Sequence, residues 1–154
     1  MASNLAAGLL MCRKSDGELE YFLVHPGGPF FKKKNEGIWT IPKGVLEGSE
    51  SLIRVAQREF QEETGLIAVP PLEEIGFIKQ KAGKVVHAWT FLGEWNSENG
   101  IVSNSFSMEW PPRSGRMVEF PEMDQARWMK FEEAAVHIIP EQIPFLERAK
   151  RIHV

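Results

Sequence analysis

The chain has 154 residues, of which 43% are apolar and 25% are charged, and its formal net charge is −3. These proportions exclude wholesale disorder, and the length predicts one domain over residues 1–154. With 18 basic and 21 acidic residues, the surface does not favour long nucleic acid, although a local basic cluster could hold a small anion. The single cysteine, Cys12, excludes an intrachain disulfide and a multi-thiolate zinc site, which predicts a reducing, cytoplasmic location.

The N-terminal third predicts a strand, a turn and a second strand. Residues 5–12 form an uncharged apolar run that predicts a buried strand, and residues 15–17 (Ser-Asp-Gly) are a turn signal. Residues 18–25 predict the second strand. The apolar run is shorter than the roughly 20 residues that span a bilayer, and no basic segment precedes it. We therefore expect neither a signal peptide nor a membrane contact.

The next segment predicts a break, a loop and a short strand. Residues 26–29 (Pro-Gly-Gly-Pro) interrupt the second strand, and residues 30–36 carry two aromatic side chains and three consecutive lysines. This composition predicts a mobile loop. Residues 38–41 then predict a short strand directly before Pro42, Lys43 and Gly44.

The clearest helix follows this segment. Ser49 can cap its N-terminus, Glu50 suits its first turn, and Gly65 can end it in the left-handed conformation. At 100° per residue, the apolar side chains fall on one arc of the helix. They are Leu52, Ile53, Ala56 and Phe60.

The remaining segments predict a hairpin, a loop, a strand and two helices. The hairpin comprises residues 73–81 and 84–94, and the polar stretch 96–115 predicts an extended loop. A strand is predicted over residues 125–131, and helices over 132–139 and 144–152. Mixed strands with few helices favour an α+β or a layered α/β/α domain.

Three glutamates on the predicted helix suggest chemistry. Glu59, Glu62 and Glu63 are spaced i, i+3 and i+4, so their carboxylates converge. Glu63 also falls within the apolar arc, where a carboxylate is costly unless it is paired or coordinated. Oxygen ligands of this kind suit Mg²⁺ or Mn²⁺. Taken alone, the glutamate pattern favours a solvated acidic helix face, with surface ion pairs from Arg58 to Glu62 and from Glu50 to Arg54.

The loop before the helix extends this pattern into a longer motif that resembles the complete signature of the Nudix hydrolases. The matching residues are Gly44, Glu50, Arg58, Glu59, Phe60, Glu62, Glu63, Gly65 and Leu66. The runs 24–30 and 110–116 further resemble a bacterial subgroup of nucleoside-triphosphate pyrophosphohydrolases. The resemblance implies an α/β/α sandwich with a mixed central sheet. It also implies cleavage of a nucleoside diphosphate linked to another group.

The resemblance also implies roles for individual residues. The metal ligands would be the carboxylates of Glu59, Glu62 and Glu63 together with the carbonyl of Gly44, and the cation Mg²⁺, with Mn²⁺ as a substitute. Glu59 is the preferred general base, and a glutamate outside the motif is the alternative. Arg58 would orient a glutamate of the motif, and Glu50 would stabilise the loop and helix.

Outside the motif, the candidates rest on weaker signals. Family members often take a further ligand or base from a loop before a late strand, where Glu119 and Glu122 lie, and we prefer Glu122. The basic candidates for phosphate binding are Lys43, Lys79, Lys81, Arg113 and Arg116. Lys79 and Lys81 belong to a basic run across the hairpin that also includes Lys84 and His87, and this run would about equally suit a solvated hairpin tip. The aromatic side chains in loops that could stack a nucleobase are Phe30, Phe31 and Trp110.

The predicted function is therefore metal-dependent hydrolysis of a phosphoanhydride in a small nucleotide. Dinucleoside polyphosphates and nucleoside triphosphates are favoured, because several basic loops suggest more than two phosphates, and oxidised nucleotides and nucleotide sugars remain open. One alternative is a domain that senses a nucleotide without cleaving it. Another is a pyrophosphohydrolase that acts on RNA 5′ ends, which the acidic net charge disfavours. The sequence indicates no oligomeric state.

Overall fold

The computed structural model describes residues 4–153, which form eight strands and three α-helices. The strands are β1 (Leu5–Ser15), β2 (Glu18–Pro26), β3 (Lys43–Val45), β4 (Glu73–Lys79), β5 (Val85–Leu92), β6 (Ser105–Glu109), β7 (Met117–Pro121) and β8 (Met123–Lys130). The helices are α1 (Leu52–Thr64), α2 (Phe131–His137) and α3 (Ile143–His153). Within the described residues, no helix is both long enough and apolar enough to cross a membrane.

A mixed sheet of six strands forms the centre of the fold. Its order is β4-β5-β1-β2-β8, and β3 pairs with the N-terminal part of β1. The pairing of β1 with β5 is parallel, whereas β1 pairs antiparallel with both β2 and β3. The strand β1 therefore lies at the middle of the sheet, which explains why its sequence is a continuous apolar run.

Helices cover both faces of this sheet. On the face that we call the α1 face, Ala7, Leu9 and Met11 of β1 pack with Val55 and Phe60 of α1. On the opposite α2/α3 face, the alternate side chains of β1 pack with α2 and α3. The predicted α/β/α sandwich with a mixed central sheet is thus confirmed.

The helix α1 begins later than its sequence predicts. Its N-cap is Ser51, whose hydroxyl accepts a hydrogen bond from the Arg54 amide at 3.4 Å, so the predicted cap at Ser49 is wrong. Glu50 lies before the helix, and its carboxylate binds the side chain of Arg58, eight residues further along the chain. The predicted end is confirmed, since Gly65 adopts a φ of 79° and donates to the Gln61 carbonyl.

The short strand predicted over residues 38–41 is also displaced. Trp39 and Thr40 form only isolated bridges, to Ile138 and Val24 respectively. The strand that pairs with β1 is β3, on the other side of Pro42. Proline has no amide hydrogen and restricts the residue before it, which favours a break at this position.

The segment 96–115, predicted as an extended loop, contains the strand β6. This strand pairs with β7 to form a two-stranded arm, separate from the central sheet, in which Phe106 lies opposite Phe120. The arm was missed because its strands have only five residues each and β6 lies among polar residues. Such a strand gives too short an alternation to stand out.

The end of α1 provides a test of these assignments. An alanine Cβ at Gly65 would lie 3.0 Å from the Val102 side chain, in a left-handed conformation that L-residues avoid. We expect Gly65→Ala to lower the free energy of unfolding by roughly 2 kcal/mol. Gly48→Ala is the control, because Gly48 also has a positive φ but its Cβ would meet open space. Urea unfolding of both variants measures the difference, and an equal loss would contradict the contact.

Candidate active site

The site is built where β3 meets α1. A Cβ at Gly44 would overlap the Glu59 carboxyl group, so only glycine allows the backbone of β3 to approach this side chain. Gly44 is held in place by its pairing with Ala7 of β1. The predicted proximity of Gly44 and Glu59 is therefore a feature of the structure.

Glu63 is buried on the same helix, with only 4% of its surface exposed. The Lys43 amide donates a hydrogen bond to its Oε1 at 3.3 Å. Burial, and then the charge of Glu59, raise the pKa of Glu63 to about 8, against a smaller opposing effect of Lys43. A carboxylate in this position is held protonated until a cation or a higher pH removes the proton.

Arg58 joins three carboxylates around this point. Its Nη2 donates to Glu50 at 2.9 Å, and its Nη1 donates to Glu59 at 3.0 Å and to Glu62 at 3.3 Å. The hydrogen bond to Glu50 is the main cause that raises the pKa of Arg58. The expected pair between Arg58 and Glu62 is thus present, whereas Glu50 binds Arg58 rather than Arg54 as expected from the sequence.

Glu122 is brought to the same end of α1 by the base of the arm. Its amide donates to the Asn104 carbonyl at 2.7 Å, and the Asn104 amide donates to the Glu62 carbonyl at 2.8 Å. Burial, and then the charge of Glu62, raise the pKa of Glu122. The other candidate, Glu119, is an exposed residue within β7, further along the arm.

Burial, and then the charge of Glu62, likewise raise the pKa of Glu59, although Arg58 opposes both effects. The carboxylates of Glu59, Glu62 and Glu63 on α1 and that of Glu122 therefore repel each other at a partly buried site. Within residues 4–153, no three Asp, Glu, His or Cys side chains already form a metal-binding group, and Arg58 binds both Glu59 and Glu62. The oxygen donors and the net repulsion nevertheless fit a hard divalent cation.

The basic candidates divide into a near and a distant set. The Lys43 amide binds Glu63, and burial and then the charge of Lys84 lower the pKa of the Lys43 ammonium group, against opposing effects of Glu63 and Glu59. Lys79 ends β4, and Lys81 lies in the turn that follows. The candidates Arg113 and Arg116 lie at the tip of the arm, in the turn between β6 and β7.

The length of the arm sets this separation. Each of its strands has five residues, which corresponds to about 17 Å from base to tip at the usual rise of a strand. Glu122 lies at the base and both arginines lie at the tip. The sequence groups Lys84 with the basic run of the hairpin, but its electrostatic effect on Lys43 depends on the pairing of β1 with both β3 and β5, which short sequence patterns do not reveal.

Loop aromatics cluster away from the sheet. The rings of Phe30 and Trp110 are 5.5 Å apart at 83°, which joins the loop 30–36 to the arm. The predicted mobile loop is also hydrogen-bonded to the core near its end, since the Trp39 indole donates to Asn35 at 2.8 Å. His25 adds a contact between its Nε2 and the Lys34 carbonyl at 2.7 Å.

The raised pKa of Glu63 makes a prediction for the metal-free protein. An unfolded glutamate titrates near 4.5 and the folded Glu63 near 8, so folding takes up a proton between these values. The stabilisation is complete below the lower pKa and is lost as the pH rises through the higher one. In EDTA, thermal unfolding should therefore show Glu63→Gln gaining stability relative to the native chain as the pH rises from 5 to 9. Parallel pH profiles would contradict this expectation, and Glu119→Gln is the exposed control.

The sequence matches one family model and a related plant protein. The NUDIX domain family model matches residues 2–149. Nudix hydrolase 7 of Arabidopsis thaliana is 38% identical over 64 residues, which are 42% of this chain and 21% of that protein. The match thus spans about a fifth of the relative's length.

Solved structures share the fold at low sequence identity. The NUDIX domain of Shewanella oneidensis NrtR, complexed with ADP ribose, has a TM-score of 0.67 and 16% identity, with 100% of this chain and 90% of that chain covered. The Ap4A hydrolase of C. elegans, in a binary complex, has a TM-score of 0.66 and 21% identity, with 96% of each chain covered. The MutT protein of Methanosarcina mazei Go1 has a TM-score of 0.58 and 21% identity over 96% of this chain and 93% of that chain. Because the family model matches nearly the whole sequence, the chain belongs to the NUDIX domain family.

Proposed function

We propose that the protein is a metal-dependent pyrophosphohydrolase. Water would cleave a phosphoanhydride bond in a nucleoside diphosphate that is linked to another group. The observation that carries the proposal is the buried Glu63 on the same helix as Glu59, in a place where glycine at position 44 lets the backbone of β3 approach the Glu59 carboxyl group. A structural role alone would not favour two repelling carboxylates there, since each has a raised pKa.

The proposed metal ligands are the Gly44 carbonyl and the carboxylates of Glu59, Glu62, Glu63 and Glu122. Mg²⁺ is the expected cation, and Mn²⁺ has similar ligand preferences. When bound, a divalent cation neutralises the charge of the phosphates and makes a water molecule easier to deprotonate. The protonated Glu63 would have to release its proton on loading, so cation binding should release protons.

Glu59 is the proposed general base, and Glu122 is the alternative outside the motif. The role requires a carboxylate with a pKa above its ordinary value, so that it accepts a proton readily near neutral pH, and both groups meet this condition. Arg58 is the proposed positioning residue, because its Nη1 donates to Glu59 and Glu62 while its Nε donates to Glu50. No covalent intermediate is required, since Cys12 is buried with a pKa raised to about 12.

The proposed substrate is a small nucleotide with several phosphates. The charges of Glu59 and Glu63 act on Lys43, and Lys79, Lys81 and Lys84 provide further basic residues along the β4–β5 hairpin. Dinucleoside polyphosphates and nucleoside triphosphates are favoured by this charge. Structural neighbours include an Ap4A hydrolase and a domain complexed with ADP ribose, which supports a nucleotide ligand. Arg113 and Arg116 would reach only a long substrate, because of the length of the arm.

Substitution of Glu63 tests the proposed ligand set. We expect Glu63→Gln to reduce turnover by orders of magnitude at saturating Mg²⁺, because an amide cannot supply a charged oxygen ligand. Glu119→Gln is the matched control, since this exposed glutamate lies outside the carboxylate cluster. Phosphate release from a panel of nucleotides measures both variants. Near-normal turnover of a folded Glu63→Gln protein would refute the assignment.

Chelation and isotope labelling test the reaction itself. Activity should disappear in EDTA, return with Mg²⁺ or Mn²⁺, and rise toward alkaline pH, because a water molecule must lose a proton. In ¹⁸O-water, a single turnover with enzyme in excess should place one label in one product. A first turnover that carries ¹⁶O from the protein would indicate a covalent route instead. Tight nucleotide binding without cleavage of any panel member would favour a sensor.

A further inference from the structure

One row of residues runs across the sheet from the proposed metal site to the far edge. Gly44 of β3 pairs with Ala7 of β1, Ala7 pairs with His87 of β5, and His87 pairs with Phe77 of β4. Paired residues direct their side chains to the same face of a sheet. The four positions therefore share one face.

This shared face is the α1 face. Ala7 packs among residues of α1, and the missing Cβ of Gly44 points at Glu59. Neighbouring strands are about 4.8 Å apart, which places His87 about 10 Å and Phe77 about 14 Å from Gly44. These two rings thus lie on the side of the sheet that carries the carboxylates, just beyond the cover of α1.

A bulge in β4 gives Phe77 this orientation. Ile75 and Ile78 are three residues apart, yet both are buried on the α2/α3 face, because the register shifts between Glu74 and Phe77. Gly76 adopts a φ of 77° at this point. Regular alternation would have put Phe77 on the same face as Ile75, and the extra residue moves it to the opposite face.

The bulge is fixed from outside the strand. Arg148 of α3 donates from Nη1 to the carbonyls of Ile75 and Phe77, at 3.0 Å each. Arg148 also lies 3.2 Å from where a Cβ of Gly76 would stand, so a larger residue there would compete with it. The orientation of Phe77 is therefore held by α3 rather than left to a free strand edge.

The outcome of this arrangement is an exposed aromatic surface next to a basic one. Phe77 is 58% exposed, and its ring centroid lies 5.3 Å from that of His87 at an angle of 35°. Lys79, two residues further along β4, points to the same face. An apolar ring held in water beside a lysine suits a ligand that has both a planar apolar part and a phosphate chain.

We propose that Phe77 and His87 form a stacking platform for the planar base of the substrate, with the phosphate chain directed past Lys79 toward Gly44. This inference rests on the proposed function, and it names the feature that would make the enzyme prefer nucleotides over base-free polyphosphates. It also assigns base recognition to the sheet rather than to the ring pair of Phe30 and Trp110 on the loop and arm.

Binding without turnover provides the test. In EDTA, the affinities of the four common nucleoside triphosphates and of inorganic tripolyphosphate are measured by calorimetry. The native chain should bind at least one of the nucleotides more tightly than tripolyphosphate. Phe77→Ala should weaken the binding of that nucleotide about tenfold, which is within the range for one stacked base. The affinity for tripolyphosphate should be unchanged. Phe77→Trp should retain the preference.

Matched variants separate stacking from a general loss of apolar surface. Leu92 is 49% exposed on the neighbouring strand β5, but its side chain lies on the opposite face of the sheet. Leu92→Ala should therefore leave the affinities for nucleotides and tripolyphosphate unchanged. Trp110→Ala should also leave the preference intact. If Trp110→Ala removes it and Phe77→Ala does not, the platform is wrong and the arm recognises the base.

The hydrolysis assay distinguishes this failure from a failure of the proposed function. If the native chain cleaves nucleotides but Phe77→Ala changes neither their affinity nor their KM, the platform is refuted and the activity stands. If no nucleotide is cleaved although Phe77→Ala selectively weakens nucleotide binding, the platform stands and the hydrolase assignment is refuted. Equal affinity of the native chain for tripolyphosphate and all four nucleotides would also overturn the platform.

Discussion

The close approach of Gly44 to Glu59 is the constraint on which the rest of the structure depends. It brings the backbone of β3 against the side of α1, and this requires β3 to be fixed by β1 and α1 to be fixed on the sheet. The apolar core on the α1 face supplies that fixation, because Val55, Ala56 and Phe60 are fully buried. Hydrophobic burial on one side of the helix thus compensates for the electrostatic cost on the other side.

That electrostatic cost is distributed over two structural devices. Arg58 offsets the charge of Glu59 and Glu62 at the partly exposed end of the cluster, and protonation removes the charge of Glu63 at the buried end. Without these devices the carboxylates would destabilise the fold, since Glu59, Glu62 and Glu122 each raise the pKa of a neighbouring carboxyl group. The residues that suit a cation therefore weaken the fold in its absence, which is the usual trade-off between stability and activity at functional sites.

Local patterns predicted the centre of the site better than its surroundings. The spacing of Glu59 and Glu63, the burial of Glu63 and the end of α1 at Gly65 follow from helical periodicity and capping, which act within a few residues. Ser51 was missed because two serines flank Glu50, and either could cap. The orientation of Phe77 was missed because it depends on a bulge that Arg148 stabilises from 71 residues away. The electrostatic effect of Lys84 on Lys43, and the arm formed by β6 and β7, likewise depend on long-range pairing.

The attachment of the arm has a consequence for how this protein can vary. Hydrogen bonds at its base join Glu122 to Asn104 and to Gly27, and join Asn104 to α1, so the position of Glu122 is defined before the chain reaches the tip. The tip carries Arg113 and Arg116 and contributes no backbone hydrogen bond to that base. We therefore expect insertions, deletions or substitutions at the tip to leave the carboxylate cluster undisturbed. The arm is thus a module in which length and sequence can diverge independently of the chemistry, and recognition can evolve without a change in the catalytic framework.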